Sequence, residues 1–265
     1  MTLRIAVLGV TGRLGGAIAR EALSDPRFDL SGAIIRSEYD GESDDVGDII
    51  GVGRLGLAAQ IGIEDGCRNA DILIDASSPE ASIAAAVRLS DRAGIGLVTG
   101  VTGFNSDQKQ ALKAASKSLP ILAARNFSLG IALLEALAAK AAQALPKSSW
   151  DVEIEEAHHR NKIDAPSGTA LILGEAVADA REQHLPSVKA MARDGRRPPG
   201  AIGFAVTRGG GIVGDHAVRF LADMEEISLS HRALDRRVFA KGALEAALWL
   251  HCRPSGLYGM SDIIG

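Results

Sequence analysis

The chain of 265 residues has few aromatic residues, few cysteines and little net charge. Aromatic residues make up only 4% of it, so stacking platforms for nucleic-acid bases are not expected. The formal net charge of −4 gives no overall field that would attract nucleic acid or an anionic lipid surface. Cys67 and Cys252 are too few for a disulfide framework, and free thiols are typical of the cytosol. The composition therefore favours a cytoplasmic protein without a nucleic-acid partner.

Long apolar runs are also lacking. No stretch of about 18 uncharged apolar residues occurs, and the longest candidate, 129–145, contains Glu135 and Lys140. The first residues lack the charged, apolar and small-residue pattern of a secretory signal. What is present is ordinary for a globular protein, with 46% hydrophobic and 23% charged residues. We therefore expect no membrane association and an aliphatic core.

The first half of the chain alternates between strand and helix patterns. Such alternation predicts parallel strands joined by right-handed helical crossovers, which is a doubly wound α/β sheet. The acidic stretch 38–48 interrupts it and is expected to be a solvated loop. The predicted strands are 4–8, 30–35, 72–75, 96–99 and 120–124, and the predicted helices are 17–23, 81–89 and 106–117.

The pattern changes after about residue 126. A long predicted helix at 129–145 is followed by alternating residues at 151–155, and another helix is predicted at 168–181. Strand-like segments separated by turn glycines follow at 203–208, 211–220 and 226–231, before a final helix at 237–250. The second half therefore predicts an α+β domain on an antiparallel or mixed sheet.

A glycine-rich turn follows the first predicted strand and opens the first predicted helix. Thr11 stands where the strict dinucleotide-binding fingerprint has its second glycine. Glycines let the backbone approach a pyrophosphate, and helix N-terminal amides can bind its phosphates. A dinucleotide site is predicted, and a purely structural turn is the alternative. The turn comprises Gly9, Val10, Thr11, Gly12, Arg13, Leu14, Gly15 and Gly16.

The end of the second predicted strand bears on the choice of nucleotide. Enzymes that use NAD usually have an acidic residue about 20 positions after the glycines, where it binds ribose hydroxyls. Here Arg36 and Ser37 offer a cation and a hydroxyl, which suit the 2'-phosphate of NADPH. We expect NADPH to be preferred, with NADH as a weaker substitute. The alternative is that Arg36 is solvated and Glu38 binds the ribose.

Another turn, Gly100-Val101-Thr102-Gly103, lies between a predicted strand and a predicted helix. It could bring the backbone close to a nicotinamide ring. A plain strand-to-helix connection is the alternative.

The most distinctive stretch of the chain combines imidazoles, cations and a turn of small residues. Amides at a helix start suit a carboxylate, while histidine and a lysine of lowered pKa can donate protons. The stretch therefore predicts a site that binds a small anion and protonates it. Its members are His158, His159, Arg160, Lys162, Ser167, Gly168 and Thr169.

These residues have structural alternatives. Either histidine alone would more often be a packing or surface residue, but the neighbouring Lys162 and the turn favour an acid–base role. Asp164 is expected to cap the following helix. A metal site at His158 and His159 is disfavoured, because adjacent strand residues diverge and no third ligand is close in sequence.

The run from Glu156 to Thr169 resembles the signature of the 4-hydroxy-tetrahydrodipicolinate reductase family, also called dihydrodipicolinate reductases, of bacterial lysine biosynthesis. The resemblance covers essentially the whole chain. It implies a Rossmann-like dinucleotide-binding domain at 1–126 with 236–265, and a substrate-binding and oligomerisation domain at 127–235. Members are commonly homotetramers that associate through the second domain's sheet. Further matching segments are 9–15, 100–104, 126–130, 199–204 and 212–216.

The resemblance also implies a reaction and roles for residues. Hydride from NADPH would reduce a cyclic dicarboxylate in diaminopimelate and lysine biosynthesis. His158 matches the proton donor and acceptor, Lys162 matches the proton donor, and His159, Gly168 and Thr169 match the residues that hold the substrate's carboxylates. The positions that match cofactor contacts are Gly9, Val10, Thr11, Gly12, Arg13, Leu14, Arg36, Ser37, Gly100, Val101, Thr102, Ala124, Arg125, Asn126 and Phe127.

The chain departs from the family pattern near these positions. Arg125 adds a cation, and Ala132 stands where asparagine is common. Two other functions are the alternatives: a homoserine or amino-acid dehydrogenase, and a non-catalytic sensor of NADP(H). The dehydrogenase does not account for the histidine and lysine cluster beside the anion-binding turn, and a sensor would not need proton donors there.

Overall fold

The computed structural model describes residues 2–40, 44–191 and 194–265. The chain forms two compact units, each with its own sheet. The first unit comprises Met1–Phe127 and Arg237–Gly265, and the second unit comprises Ser128–Arg236. None of the helices in the described ranges combines the length and the apolar character that crossing a bilayer requires.

The described residues form strands and helices that alternate along the first unit and are less regular in the second. In chain order they are β1 (Leu3–Leu8), α1 (Arg13–Ser24), β2 (Phe28–Ile34), α2 (Val46–Ile50), α3 (Ile63–Gly66), β3 (Ile72–Asp75), α4 (Pro79–Ser90), β4 (Gly96–Thr99), α5 (Ser106–Ala115), β5 (Pro120–Ala123), α6 (Leu129–Ala144), β6 (Asp151–His158), α7 (Gly168–Ala180), α8 (Leu185–Val188), β7 (Lys189–Ala190), β8 (Ile202–Arg208), β9 (Gly214–Leu221), β10 (Glu226–Ala233), α9 (Arg237–His251), β11 (Gly256–Tyr258) and α10 (Ser261–Ile264).

The sheet of the first unit has the order β11-β5-β4-β3-β1-β2, and every pair in it is parallel. All residues of β3 and β4 are buried, as expected for strands covered on both faces. Because β1 lies between β2 and β3, the direction of winding reverses at β1. In such sheets the carboxyl edge at this reversal is the usual ligand site.

The sheet of the second unit has the order β10-β9-β6-β8-β7 and mixes parallel and antiparallel pairs. Side chains alternate along β6, so that Val152 and Ile154 are fully buried while Glu153, between them, is partly exposed. The buried face packs against α6 and α7 in a hydrophobic core that includes Leu134, Leu173 and Phe220. The opposite face of the sheet carries the partly exposed residues.

The predicted fold class, a Rossmann-like parallel sheet with a second α+β unit on a mixed sheet, is confirmed. The acidic stretch 38–48 was predicted as a loop throughout. Residues 41–43 of that stretch lie outside the described residues, and helix α2 already begins at Val46. The C-terminal segment adds β11 to the parallel sheet, beside β5, which the sequence patterns did not predict.

Candidate active site

The glycine turn joins β1 to α1 at the carboxyl edge of the parallel sheet. Gly9 has a φ of +83°, and a Cβ there would lie 2.8 Å from the carbonyl oxygen of Ala76. A Cβ on Gly15 would lie 2.2 Å from the carbonyl oxygen of Gly9, so α1 can start this close to the strand only with glycine. The N-cap, Gly12, offers no side-chain cap to the first-turn amides. This turn fits the pyrophosphate of a dinucleotide.

The other predicted cofactor segments lie at the same edge of the sheet. Arg36 and Ser37 follow β2 closely and are exposed, which leaves a cation and a hydroxyl accessible there. Residues 100–102 follow β4, and residues 124–127 follow β5. Because all of these strands are parallel, their carboxyl ends bring the four segments to one side of the first unit.

A buried carboxyl group supports one of these turns. Asp75 is fully buried and accepts hydrogen bonds from the Ser77 amide (3.0 Å) and the Thr99 hydroxyl (2.9 Å). The Thr99 hydroxyl accepts one from the Val101 amide (3.2 Å). Burial raises the pKa of the Asp75 carboxyl, and the hydrogen bonds oppose this shift only in part. The network holds the backbone directly after β4.

The glycine at position 100 is required by packing. A Cβ there would lie 2.4 Å from the ring of Phe127, which is itself 3% exposed. Ala124 is also buried, Asn126 is half-buried and Arg125 is exposed. The structure thus gives the Phe127 ring a packing role beneath the turn, whereas Arg125 is accessible at the edge.

In the second unit, His158 ends β6 and forms the centre of a buried polar cluster. Its Nδ1 is hydrogen-bonded to the carboxylate of Glu156, on the same face of the strand. Glu156 also accepts hydrogen bonds from Arg208 Nη2 (2.8 Å) and from the Ser167 amide (3.0 Å). Burial raises the pKa of Glu156, but these hydrogen bonds outweigh it and leave the pKa below its ordinary value. Burial lowers the pKa of His158, and Glu156 offsets this only partly.

A third imidazole borders His158. His216 lies on β9 opposite Glu156, with its ring 5.0 Å from that of His158 in an edge-on arrangement. Its Nε2 is 3.2 Å from the hydroxyl of Ser167. Burial lowers the pKa of His216 to about 4, so this ring is neutral at neutral pH. A neutral His216 adds no positive charge to the buried cluster, which already contains the Arg208 guanidinium.

Lys162 lies in the loop after β6, with 22% of its side chain exposed, and it forms an ion pair with Asp164 at 2.9 Å. The prediction that Asp164 caps the next helix is wrong. Helix α7 begins at Gly168, and its N-cap is Ser167, whose hydroxyl accepts a hydrogen bond from the Ala170 amide at 3.2 Å. The hydrogen bond from Lys162 lowers the pKa of Asp164.

The start of α7 adjoins this cluster. Ser167 contacts both Glu156 and His216, so the exposed Gly168 and the half-buried Thr169 follow directly after the buried polar groups. The first-turn amides of a helix of this length are suited to an anion. His159 lies just beyond β6 and is half-buried. The second unit therefore brings His158, Lys162 and the start of α7 together.

The cluster also tests the argument against a metal ion. Glu156, His158 and His216 each offer a ligand atom within 4.8 Å of the others, so the reasoning that no third ligand is nearby was wrong. However, both carboxylate oxygens of Glu156 already accept hydrogen bonds, including two from the Arg208 guanidinium. A cation would have to displace that guanidinium, so the donor set does not favour a metal ion.

Sequence reasoning assigned no catalytic or ligand-binding role to Asp75, Glu156, Arg208 or His216. Glu156 stands inside the recognised run two residues before His158, but the strand was predicted to end at 155, so the face that these two residues share was not predicted. Arg208 reaches Glu156 only because β8 pairs with β6, and His216 only because β9 does. Knowledge of the strand register would have been needed to find these two residues.

Each unit thus contributes one part of an enzyme. The first has a Rossmann-type sheet with a dinucleotide turn, and the second has a buried acid–base cluster beside a helix start. Together they define an oxidoreductase that uses a nicotinamide nucleotide, NADH or NADPH.

Comparisons with known proteins identify the family. The model for the N-terminus of dihydrodipicolinate reductase matches residues 3–127, and the model for its C-terminus matches residues 130–264. A 4-hydroxy-tetrahydrodipicolinate reductase of Caulobacter vibrioides is 42% identical over 99% of this chain and 97% of its own length. The corresponding reductase of Magnetococcus marinus is 42% identical over 100% of this chain and 99% of its own length. The chain belongs to the dihydrodipicolinate reductase family.

A solved structure agrees with this fold. The dihydrodipicolinate reductase from Paenisporosarcina sp. TG-14, determined with dipicolinate bound, superimposes with a TM-score of 0.80. It is 22% identical and covers 99% of this chain and 100% of its own. At 22% identity this structural similarity supports the fold alone. Membership of the family is shown by the sequence matches.

Proposed function

We propose that this protein reduces 4-hydroxy-tetrahydrodipicolinate, or the dihydrodipicolinate that it forms by losing water, to tetrahydrodipicolinate with NADPH, in diaminopimelate and lysine biosynthesis. NADPH gives the hydride, the protein gives a proton, and the 4-hydroxyl group leaves as water. The observation that carries the proposal is the cluster of His158 and Lys162 beside the start of α7, in a chain of this family. A cyclic dicarboxylate needs both an anion site and a proton donor when its ring is reduced. The second unit has the groups for both.

The residues of the second unit divide this work. The amides of Gly168 and Thr169 at the start of α7, the Thr169 hydroxyl and the His159 ring would hold the two carboxylates. As electron density builds up in the ring, a proton must be supplied, and Lys162 is its donor. His158 donates and accepts protons in the same site. Its low exposure, 8%, keeps bulk water away from that exchange.

The first unit has the groups to hold the nucleotide. When bound, NADPH supplies the hydride. In the glycine turn, the absence of side chains at Gly9, Gly12 and Gly15 lets the backbone approach the pyrophosphate closely. The first amides of α1 can then donate hydrogen bonds to its phosphates. The turns at 100–102 and 124–127 are proposed to border the nicotinamide, and Arg13 and Leu14 to contact the adenosine end.

Arg36 and Ser37 are proposed to select NADPH over NADH. Both are exposed at the carboxyl end of β2, where the 2'-phosphate of an adenosine ribose is expected. A guanidinium is a strong partner for a phosphate because the hydrogen bonds are charge-assisted. NADH would lose that contact and serve as a weaker substitute.

We assign residues 1–126 with 236–265 to cofactor binding, and residues 127–235 to substrate binding and oligomerisation. The free thiols Cys67 and Cys252 and the family's biosynthetic role support a cytoplasmic location.

A homotetramer is also part of the proposal. The face of the second sheet that does not pack on α6 and α7 carries the small residues Ala157, Ala205, Ala217 and Ser230, around a concavity of about 540 Å³. Small side chains let a second copy of this chain approach closely. Ala205→Arg is expected to shift the protein to smaller species in sedimentation velocity. Ala93→Arg, an exposed position of the first unit, serves as the control; unchanged assembly of Ala205→Arg would contradict the proposed surface.

The reaction can be tested by following NADPH oxidation with the freshly made product of the aldolase that precedes this step. Wild type is expected to turn over. His158→Ala and Lys162→Ala should each lower kcat by at least about a hundredfold, the usual size of an acid–base contribution. NADPH affinity should stay within about twofold, because neither residue belongs to the first unit.

Two results would contradict the proposal. Full activity of both variants would remove the assigned roles. Turnover with homoserine or another amino acid and NADP⁺, without turnover of the aldolase product, would favour the amino-acid dehydrogenase instead.

A further inference from the structure

The carboxylate of Glu156 makes four hydrogen bonds within the second unit. Its Oε1 accepts hydrogen bonds from Arg208 Nη2 (2.8 Å) and the Ser167 amide (3.0 Å). Its Oε2 accepts one from Arg208 Nη1 (3.0 Å) and is the atom bonded to His158 Nδ1. Glu156 is only 4% exposed, so no water shell competes with these partners.

The Arg208 guanidinium is itself fixed in this position. Nη2 also donates to the carbonyl oxygen of Asp164 (2.6 Å), and Nη1 donates to the carbonyl oxygen of Thr207 (2.8 Å). The two nitrogens thus hold the carboxylate as a fork, which restricts both its position and its plane. A cation in this place also favours the ionised form of Glu156.

The ionised carboxylate decides which nitrogen of His158 carries the proton. A carboxylate only accepts hydrogen bonds, so the His158 Nδ1 bonded to it must be protonated. In the neutral ring, Nε2 is then the basic nitrogen. The neighbouring His216 ring cannot take the place of His158 as the base, because its Nε2 is hydrogen-bonded to the Ser167 hydroxyl.

The charged and titratable groups around His158 come from every neighbouring element. Glu156 shares β6, Arg208 comes from β8, His216 from β9 and Lys162 from the loop after β6. Of these groups, Glu156 carries the negative charge that stabilises a protonated His158. Beyond them, His231 on β10 borders His216, and Asp164 is paired with Lys162.

We propose that Glu156, held by Arg208, is a positioning residue that fixes the Nδ1-protonated tautomer of His158, so that Nε2 exchanges the proton with the substrate. The catalytic part of this inference rests on the function proposed above for His158. The tautomer itself does not, because it is a property of the protein alone. Each part therefore has its own measurement.

The tautomer can be read directly from the imidazole nitrogen shifts of His158 in protein labelled with 15N-histidine, assigned with His158→Asn. The expected wild-type spectrum at neutral pH has a protonated Nδ1 and an unprotonated Nε2. A spectrum with the proton on Nε2 would overturn the inference, whether or not the protein reduces the proposed substrate.

Glu156→Gln removes the charge and keeps the shape of the side chain. The pKa of His158 can be measured by following the same imidazole nitrogen shifts as the pH is changed. Without the carboxylate, this pKa should fall by about one unit. The limb of the kcat profile that reports His158 should move to lower pH by the same amount. At the optimum kcat should fall about tenfold or more, with NADPH affinity within about twofold of wild type.

The matched control is Glu64→Gln, which breaks an exposed glutamate–arginine pair with Arg88 in the first unit. It should leave the His158 titration and kcat unchanged. A purely structural role for Glu156 would lower thermal stability without moving the titration or the kinetic limb, and that result would overturn the inference.

If Glu156→Gln does not fold, Arg208→Lys provides the second variant. Lysine keeps the positive charge but cannot form the fork, so the carboxylate becomes less restricted. With the proposed substrate, kcat should fall severalfold while KM changes less. The fraction of His158 that carries its proton on Nδ1 should also decrease. An unaltered spectrum and unaltered kcat would count against positioning. Should the expected tautomer be found in a protein inactive on the proposed substrate, the proposed function fails and the structural part stands.

Discussion

The two units build their functional surfaces from different parts of the polypeptide. At the carboxyl edge of the parallel sheet, the proposed cofactor site consists mainly of backbone, exposed by glycines such as Gly9 and Gly15. In the second unit, the acid–base cluster consists of buried side chains from neighbouring strands, including Glu156, His158 and His216. The first surface is therefore sensitive to added volume, and the second to changes in charge and pH.

Two buried carboxyl groups make the same contrast. Asp75 accepts hydrogen bonds from neutral donors, and burial raises its pKa. Glu156 is also buried, but the guanidinium of Arg208 helps to bring its pKa below the ordinary value. A cation within hydrogen-bonding distance therefore decides which of two buried acids is the more readily ionised. Asp75 is suited to holding a turn, and Glu156 to stabilising a protonated imidazole.

The largest effect is expected where volume is added to the glycine turn. In Gly15→Ala, the new Cβ would lie 2.2 Å from a backbone oxygen that cannot rotate away. The turn must open, and NADPH affinity measured by fluorescence titration should fall about a hundredfold, or about 3 kcal/mol. In the control, Gly259→Ala, the nearest atom is Ser261 Oγ at 3.7 Å, and binding should not change. Wild-type NADPH affinity in Gly15→Ala would show that the surface at the glycine turn is not sensitive to added volume.

Acid should weaken the second unit through His216. Its pKa is about 4 when folded, against about 6.5 in an unfolded chain. Between these values the unfolded state binds a proton that the folded state does not, so stability is lost as pH falls from about 6.5 towards 4. The loss attributable to this group reaches at most about 3 kcal/mol. Urea unfolding at several pH values measures it.

The control for this slope is a second histidine of the same unit. His216→Asn should flatten the dependence of unfolding free energy on pH, whereas the exposed His184→Asn should leave it as in wild type. Equal slopes in all three proteins would show that the buried imidazole is not the source.

The parallel sheet could be predicted from sequence because its strands are buried on both faces and form plain apolar runs. The predicted strands 72–75 and 96–99 agree with β3 and β4 to the residue. The mixed sheet was harder, because the buried positions of β6 change from apolar to polar along the strand. Hydrophobic alternation through Val152 and Ile154 predicted an end at 155, but Glu156 and His158 continue the buried face.

The candidate site shows the same limit. The recognised run contained His158, Lys162 and the start of α7, since these residues are close in sequence. The partners that set their charges come from distant strands, as Arg208 and His216 do, and no local pattern encodes strand register. Asp164 and Ser167 are both good N-cap types, but α7 begins at Gly168, so Ser167 directly precedes it, whereas Asp164 lies further back and pairs with Lys162.

One side chain at the cofactor edge should nevertheless matter through its charge. Arg36→Ala is expected to reduce the preference for NADPH over NADH, as a ratio of kcat/KM, by about tenfold or more. The cause is loss of a charge-assisted contact to the 2'-phosphate, so kinetics with NADH should change little. Arg88→Ala, which removes an exposed arginine elsewhere in the first unit, is the control. An unchanged ratio would leave Glu38 and the ribose as the better assignment.

The smallest effect is expected at Arg125, the cation that departs from the family pattern. Its side chain is exposed just before the half-buried Asn126, so salt and water screen its charge. Arg125→Ala should change NADPH affinity by less than about threefold at physiological salt, and the difference should shrink as salt is raised. Titrations at two salt concentrations measure this. A large, salt-independent loss would mean that a specific side-chain contact to the nucleotide is made at this edge, so that backbone alone would not account for cofactor binding there.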